Sequence, residues 1–199
     1  MTNRKLAAME TRKKLVAAAK KIICDKGLVN TSIEEITEAC GVSKGTFYTY
    51  FKRKEDIVFE LSREVFTEIL EKAEAFEGSF LERIENYMVS FSAYIESSGV
   101  KLAQEWIRNV VNPELAENSD EKNKLQMDLE AVTRLISLGI EKNELRSNTP
   151  VKTISHTIVD FLYGQLLCWC MSDGIYSLKE RTQEFCKLYL CLIIKQYII

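Results

Sequence analysis

The chain contains few residues that interrupt helices. Its 199 residues include two prolines and eight glycines, and the alternation of apolar and polar residues that marks β-strands is nearly absent. Proline and glycine are the residues least compatible with a helix interior, so their scarcity leaves long helical stretches uninterrupted. We therefore predict an all-α protein.

The chain also lacks the residue constellations of common enzymes. His156 is the only histidine, which excludes a ferritin-like di-iron site because that site uses two Glu-x-x-His motifs. The sequence contains neither a glycine-rich phosphate loop nor a nucleophile elbow. We expect no enzymatic activity and no cofactor.

Six cysteines lie in apolar helical patterns, and none has the CxxC spacing of a metal site. We expect reduced, buried thiols and no metal. The longest apolar run near the C-terminus, 188–194, is far shorter than the roughly 20 residues that span a bilayer. The first residues lack the apolar run of a signal peptide. These absences favour a soluble, cytoplasmic protein.

Charge is divided unevenly along the chain. Residues 1–56 carry 12 Lys+Arg and 7 Asp+Glu, whereas residues 57–199 carry 15 and 22. The first part is therefore positive and suited to a polyanion, and the second is negative. A mixed helical surface can produce such a split by chance, so the charge supports a nucleic-acid partner without requiring one.

Two short helices are predicted close to the N-terminus. Ser32 and Glu35 have the spacing of a capping box, which predicts a helix over 33–40 that a glycine ends. Ser43 then caps a second short helix over 44–50. Two short helices joined by a tight turn that contains glycine are typical of a helix-turn-helix.

The rest of the chain reads as one long helix from residue 54 to about 76 and five further segments. These are 79–97, 100–111, 120–143, 151–172 and 178–198, separated by turn-forming residues. The last two segments are apolar almost all round over 158–171 and 185–194. Such a surface predicts a homodimer with Leu166 and Leu190 in its interface, or else the centre of a monomeric bundle.

The stretch from residue 31 to 57 resembles the DNA-binding head of TetR-family (tetracycline-repressor-type) transcriptional regulators. It reads TSIEEITEACGVSKGTFYTYFKRKEDI. The resemblance implies a nine-helix fold with a helix-turn-helix DNA-binding domain over 1–56 and a ligand-binding and dimerisation domain over 57–199. It also implies a repressor that binds a palindromic operator as a homodimer and leaves it when a small molecule binds.

The resemblance also implies which residues contact DNA. Ser43 to Thr46 would open the recognition helix, with Lys44 and Thr46 nearest to the base edges. Thr49 and Tyr50 depart from the aromatic residue and the histidine found there in many members. Taken singly, the serines are helix caps and the lysines solvated surface. The implied contacts are Thr31, Ser32, Ser43, Lys44, Gly45, Thr46, Tyr48, Thr49, Tyr50 and Lys54, of which Tyr48 and Lys54 match phosphate-contacting positions.

The effector, which we expect to be largely apolar, is not identified by any motif. Aromatic residues could surround a cavity, although core packing explains each of them equally well. His156, Asp160 and Tyr163 share one helix face by their spacing, which could line the cavity or be a solvated stripe. The candidate ligand residues are Phe66, Tyr87, Phe91, Tyr94, Trp106, His156, Asp160 and Tyr163.

Two other functions fit the same fold. One is a DNA-binding architectural or division-linked factor without a small-molecule effector. The other is a ligand-binding bundle whose head does not bind DNA.

Overall fold

A computed structural model describes residues 3–54, 56–111 and 124–199. These residues are helical apart from turns and one isolated antiparallel bridge between Leu145 and Ile198. The prediction of an all-α protein is confirmed.

The helices follow one another with short connections. Their bounds are α1 Asn3–Lys26, α2 Ile33–Cys40, α3 Lys44–Tyr50, α4 Asp56–Ala75, α5 Phe80–Ser98, α6 Val100–Val111, α7 Lys124–Glu141, α8 Val151–Met171, α9 Leu178–Phe185 and α10 Cys191–Ile194. A π-helical stretch, Cys186–Leu190, joins α9 to α10 without a break, and a 3-10 turn, Lys195–Tyr197, follows. Within the described ranges the chain therefore forms nine continuous helical runs, as predicted.

The helices group into two compact units. The first unit comprises residues 1–65 and 101–117, and the second comprises 66–100 and 118–199. Helix α4 contributes residues to both units, and nearly all of α6 belongs to the first. The expected division into functional domains after residue 56 stays a prediction.

The apolar core of the first unit lies between α1 and the helix-turn-helix formed by α2 and α3. Leu15 and Ile23 of α1 are fully buried, as are Ile36 of α2 and Phe47 of α3. The local stop signals act as predicted, since Gly41 ends α2 in the left-handed region at φ 66°. The predicted bounds of α2 and α3 are confirmed residue for residue.

In the second unit, α5 packs against α7 and α9, and α7 packs against α8. A buried polar group joins three of these helices. The Gln165 amide of α8 donates to Ser92 Oγ of α5 at 3.2 Å and to Thr182 Oγ1 of α9 at 2.6 Å. Arg83 of α5, also buried, pairs with Glu144 after α7. These bonds fix the register of the helices around the aromatic cluster described below.

Helix α8 and the run from the π-helical stretch to α10 each have apolar residues buried in the unit and other apolar residues exposed to solvent. Leu166 and Leu190 are buried inside the unit, so our expectation that they belong to an intersubunit surface is wrong. The exposed apolar residues are their neighbours, because one residue along a helix turns a side chain by about 100°. They are Leu167, Met171, Leu188, Tyr189 and Leu192, which we call the apolar stripe.

None of the six cysteines, all of which lie in the described residues, is in a disulfide. Cys170 and Cys186 are buried, whereas Cys168 and Cys191 are exposed beside the apolar stripe, which corrects the expectation that all six are buried. Among the described residues, no three His, Cys, Asp or Glu side chains are arranged to hold a metal ion. No described helix combines the length and apolar character that crossing a membrane requires.

Candidate functional site

Helix α3 has one buried and one exposed side. Phe47 anchors it in the core of the first unit and packs against Phe51 with tilted rings, at 5.3 Å between ring centroids. The opposite side carries polar and small residues. Ser43, Lys44, Gly45, Tyr48 and Thr49 are exposed, while Thr46 and Tyr50 are half-buried. Seven of the ten predicted DNA contacts therefore lie on or beside one short helix.

Hydroxyl groups fix the first turn of α3. Ser43 Oγ accepts from the backbone N–H of Thr46 at 3.2 Å and lies 2.9 Å from Thr46 Oγ1. Thr49 Oγ1 donates to the carbonyl of Gly45 at 3.1 Å. Ser43 is thus the predicted N-cap, and its exposed position leaves the turn open to a large partner.

Gly45 has no evident structural reason to be glycine. A Cβ built there would meet only Ser43 Oγ at 3.6 Å, which is an ordinary contact. Glycine within a helix costs about 1 kcal/mol relative to alanine. A glycine that the fold does not need is consistent with a partner that approaches the backbone closely.

Lys44 forms an ion pair with Glu34 of α2. The hydrogen bond from Lys44 lowers the pKa of Glu34, and the same contact raises the pKa of Lys44. Both side chains are about half exposed. The pair therefore holds the Lys44 ammonium at the surface, where another anion can replace Glu34 as its partner.

Side chains at the N-terminus of α2 accept hydrogen bonds from the backbone N–H groups there. Ser32 Oγ accepts from the N–H of Glu35 at 3.1 Å, and the Glu35 carboxylate accepts from the N–H of Ser32 at 2.8 Å. Lys26 pairs with Glu35 and, with the bonds from Ser32, lowers the pKa of Glu35 to about 2. The capping box is confirmed, and it occupies the backbone N–H of Ser32, one of the residues predicted to contact DNA.

Two of the predicted DNA contacts, Thr31 and Lys54, form hydrogen bonds inside the first unit. Thr31 is buried, and its hydroxyl donates to the carbonyl of Gly27 at 2.7 Å. The Lys54 ammonium donates to the carbonyls of Leu28 at 2.8 Å, Thr31 at 3.0 Å and Val29 at 3.4 Å. An ammonium has three donors, so Lys54 closes the turn between α1 and α2 rather than facing solvent.

Tyrosines flank the exposed side of α3. Tyr48 is half exposed, and its ring packs edge-on against Phe47 with 5.7 Å between centroids. This contact holds the phenol at the rim of the exposed face, where it can donate to an oxygen of a partner. Tyr50 lies half-buried one turn from Phe47.

In the second unit, four of the eight candidate ligand residues form an aromatic cluster. Phe66 of α4 lies 4.7 Å from Phe91 and 5.4 Å from Tyr94, measured between ring centroids. Tyr87 lies 6.4 Å from Phe91. Phe66, Phe91 and Tyr87 are buried. Four residues predicted from the sequence to line a cavity therefore lie close together in the structure. Their role in ligand binding stays a prediction.

A charged network that we did not predict completes this cluster. Lys124 and Asp128 of α7 form a buried ion pair, and the Tyr163 hydroxyl of α8 donates to Asp128 Oδ2 at 2.8 Å. The Lys124 ammonium lies 4.0 Å from the Phe66 ring centroid and 5.4 Å from that of Phe91. The only signal in the sequence is a Lys–Asp pair with i, i+4 spacing, which usually marks an exposed helix face.

Burial and the Asp128 charge set the ionisation of the network. Burial lowers the pKa of Lys124, although the neighbouring Asp128 opposes this effect. Burial and then the Asp128 charge raise the pKa values of Tyr87 and Tyr163. Both phenols therefore remain protonated, and Tyr163 acts as a hydrogen-bond donor.

The remaining candidate ligand residues lie elsewhere. His156 and Asp160 are exposed on α8, whereas Tyr163 is half-buried and bonded to Asp128, so the three residues do not share one environment despite their spacing. Trp106 is buried in the first unit, whereas the cluster belongs to the second.

Comparison with known proteins finds similarity to bacterial transcriptional regulators. Residues 15–61 match the family model of bacterial regulatory proteins of the tetR family. The fatty acid metabolism regulator protein of Bacillus subtilis (strain 168) is 23% identical over 87% of this chain and 91% of its own length. The HTH-type transcriptional regulator UidR of Escherichia coli (strain K12) is 27% identical over 83% and 85%.

A solved structure shows the same fold. The transcriptional regulator FadR of Bacillus subtilis, in complex with stearoyl-CoA, superposes with a TM-score of 0.69 at 22% identity. The match covers 88% of this chain and 96% of that chain. With the helix-turn-helix and the nine helical runs described above, these matches show a tetR-family sequence over residues 15–61 and a TetR-like fold in the described residues of the chain.

Proposed function

We propose that the protein is a ligand-responsive repressor that binds a palindromic operator as a homodimer in the cytoplasm. The exposed first turn of α3 enters the major groove, and a small molecule bound in the second unit weakens operator binding.

The face of α3 is the observation that carries this proposal. Its buried side is fixed by Phe47, so the exposed side has a defined orientation. That side offers Lys44, which suits guanine acceptors, and Thr46, which suits a thymine methyl or an acceptor. Gly45 between them leaves the backbone accessible to the groove.

The apolar stripe supports the dimer. Leu167 and Met171 are one turn apart on α8, and Leu188 and Leu192 are one turn apart on the run from α9 to α10. Clustered large apolar side chains on two neighbouring helices mark an interaction surface. A second copy of the same two helices gives a four-helix interface with two-fold symmetry, which matches a palindromic operator.

The aromatic cluster and its charged network support a ligand site. Apolar and aromatic walls with a few buried polar groups are typical of small-molecule sites. The B. subtilis FadR structure contains stearoyl-CoA, so a protein with this fold can hold a small molecule. Helix α4 carries Phe66 and also residues of the first unit, which gives a route by which a ligand could influence DNA binding.

Selection of bound duplexes from a random DNA pool tests the proposal. We expect enriched duplexes with two inverted half-sites whose centres are about 34 to 36 Å apart, or a multiple of that distance. Lys44→Met should lose binding to the enriched duplex, whereas Lys142→Met, which removes an exposed lysine after α7, should bind like the wild type. Absence of any enrichment at low salt would show that the proposal is wrong.

Once an effector is found, its affinity should be measured with and without operator. Reciprocity requires the operator to weaken effector binding by the factor by which the effector weakens operator binding, typically about 5- to 150-fold. Equal affinities in the two titrations would favour the architectural factor without an effector.

A further inference from the structure

The Lys124 ammonium is held as a bound organic cation would be held. It lies over Phe66 at 4.0 Å and near Phe91 at 5.4 Å, with the carboxylate of Asp128 beside it. Aromatic faces together with a carboxylate are the groups that recognise ammonium ligands, because both present negative charge to the cation. We call Phe66, Phe91, Asp128 and Tyr163 the cation cage.

The cage and the Lys124 ammonium differ in how easily they can move. Asp128 is held by a second bond, from the Tyr163 hydroxyl at 2.8 Å, and Phe66 and Phe91 are packed against each other. Lys124 is also buried, but its ammonium is carried by a flexible four-carbon stem at the start of the described part of α7. Rotation of that stem can remove its ammonium while the cage stays in place.

Charge balance favours a cation over an anion as the ligand. An incoming cation that replaces the Lys124 ammonium leaves Asp128 neutralised. An incoming anion that pairs with Lys124 either adds a second negative charge to the buried site or forces Asp128 away from Tyr163. Uncompensated buried charge is strongly unfavourable, so the second exchange costs more than the first.

A permanent cation also suits this environment better than the lysine does. Burial lowers the pKa of Lys124 because it disfavours the charged amine. A quaternary ammonium has no proton to lose and is less strongly hydrated than an ammonium, so burial in an aromatic cage costs it less.

We propose that the effector is an organic cation and that its charged nitrogen displaces Lys124 from the cation cage. This inference rests on the proposed ligand response and names the chemical class of the ligand. Lys124 is then an internal competitor that occupies the site in the ligand-free protein.

Calorimetry on the full-length protein without DNA tests this with three matched probes. Phenyltrimethylammonium is the cation, tert-butylbenzene is its neutral isostere and benzenesulfonate is an anion of similar size. We expect the wild type to bind the cation most tightly. Lys124→Met removes the competitor and should raise the affinity for the cation by at least about tenfold, because the competent state is no longer a minor one.

Three further variants keep the test decisive. Phe66→Leu retains apolar volume without a π face and should weaken cation binding about threefold or more while leaving the neutral isostere unaffected. Asp128→Asn should also weaken cation binding, and Lys152→Met, at an exposed lysine of α8, should change nothing. If Lys124→Met does not fold, the selective effect of Phe66→Leu still decides the question.

Preferential binding of benzenesulfonate would overturn the inference, and so would equal cation affinities of the wild type and Lys124→Met or an unchanged affinity in Phe66→Leu. If any of these results is obtained and duplex selection succeeds, the cation proposal is wrong and the proposed function is unaffected. If duplex selection fails and the cation still binds, the proposed repressor function is wrong and the proposed cation site is unaffected.

Discussion

The Lys44 ammonium on the first turn of α3 is paired with the Glu34 carboxylate on the first turn of α2. The pair joins the two helices of the helix-turn-helix across their exposed ends. A DNA phosphate or base edge that takes Lys44 must first compete with Glu34, so this carboxylate reduces the net positive charge at the place where DNA is expected.

Replacing Glu34 should therefore strengthen DNA binding. We expect Glu34→Gln to raise the affinity for duplex DNA roughly two- to fivefold at low salt, in the range of an exposed charge interaction, and less at high salt because ions screen it. Fluorescence anisotropy at several salt concentrations measures this. Glu38→Gln removes an exposed carboxylate one turn further along α2 and should have a smaller effect. Equal effects of the two variants would reject a specific role for the pair.

Lys54 should stabilise the first unit rather than bind phosphate. Lys54→Met removes the donors to the carbonyls of Leu28, Val29 and Thr31 and should cost about 2 kcal/mol of unfolding free energy. Chemical denaturation measures this, with Lys52→Met at an exposed neighbouring lysine as the control. Unchanged stability together with a weaker salt dependence of DNA binding would restore the phosphate role.

Glu35 should make the stability of the first unit depend on acid pH. Its pKa falls from 4.5 to about 2 on folding, because of Lys26 first and the Ser32 bonds second. A depressed folded pKa adds stability that is fully present above pH 4.5 and is lost as the pH falls towards 2. Denaturation of the wild type and Glu35→Gln across this range should show a difference that shrinks with acid. A pH-independent difference would contradict the assignment.

The apolar stripe should form the dimer interface. Leu167→Glu and Leu192→Glu place a carboxylate in that interface and should give monomers, because an unpaired buried charge is costly. Leu125→Glu is the matched control, since Leu125 is 42% exposed and Leu167 is 46% exposed. Analytical ultracentrifugation distinguishes the outcomes. If all three variants sediment as dimers, the interface lies elsewhere.

Local signals made the helix-turn-helix predictable. Ser32, Glu35, Gly41 and Ser43 act through bonds to residues three or four positions away, so the sequence alone contains the whole interaction. This is why the bounds of α2 and α3 were predicted without error.

Contacts between distant residues were not predictable in the same way. Lys54 meets carbonyls 23 to 26 positions away, and no pattern in the sequence shows that they converge on its ammonium. The burial of Lys124 and Asp128 depends on how α7 meets aromatic rings of α4 and α5. On α8, which is apolar almost all round, periodicity could not decide whether Leu166 or its neighbour faces inward.

The most direct measurement is the affinity of Gly45→Ala for the selected operator duplex, combined with its stability. The fold accommodates the added methyl group, whose Cβ meets only Ser43 Oγ at 3.6 Å, so the variant should be more stable by up to about 1 kcal/mol. If the first turn of α3 lies against DNA, the same methyl group obstructs the approach and operator affinity should fall although no charge has changed. A variant that is more stable and binds the operator as tightly as the wild type would contradict the placement of α3 in the major groove.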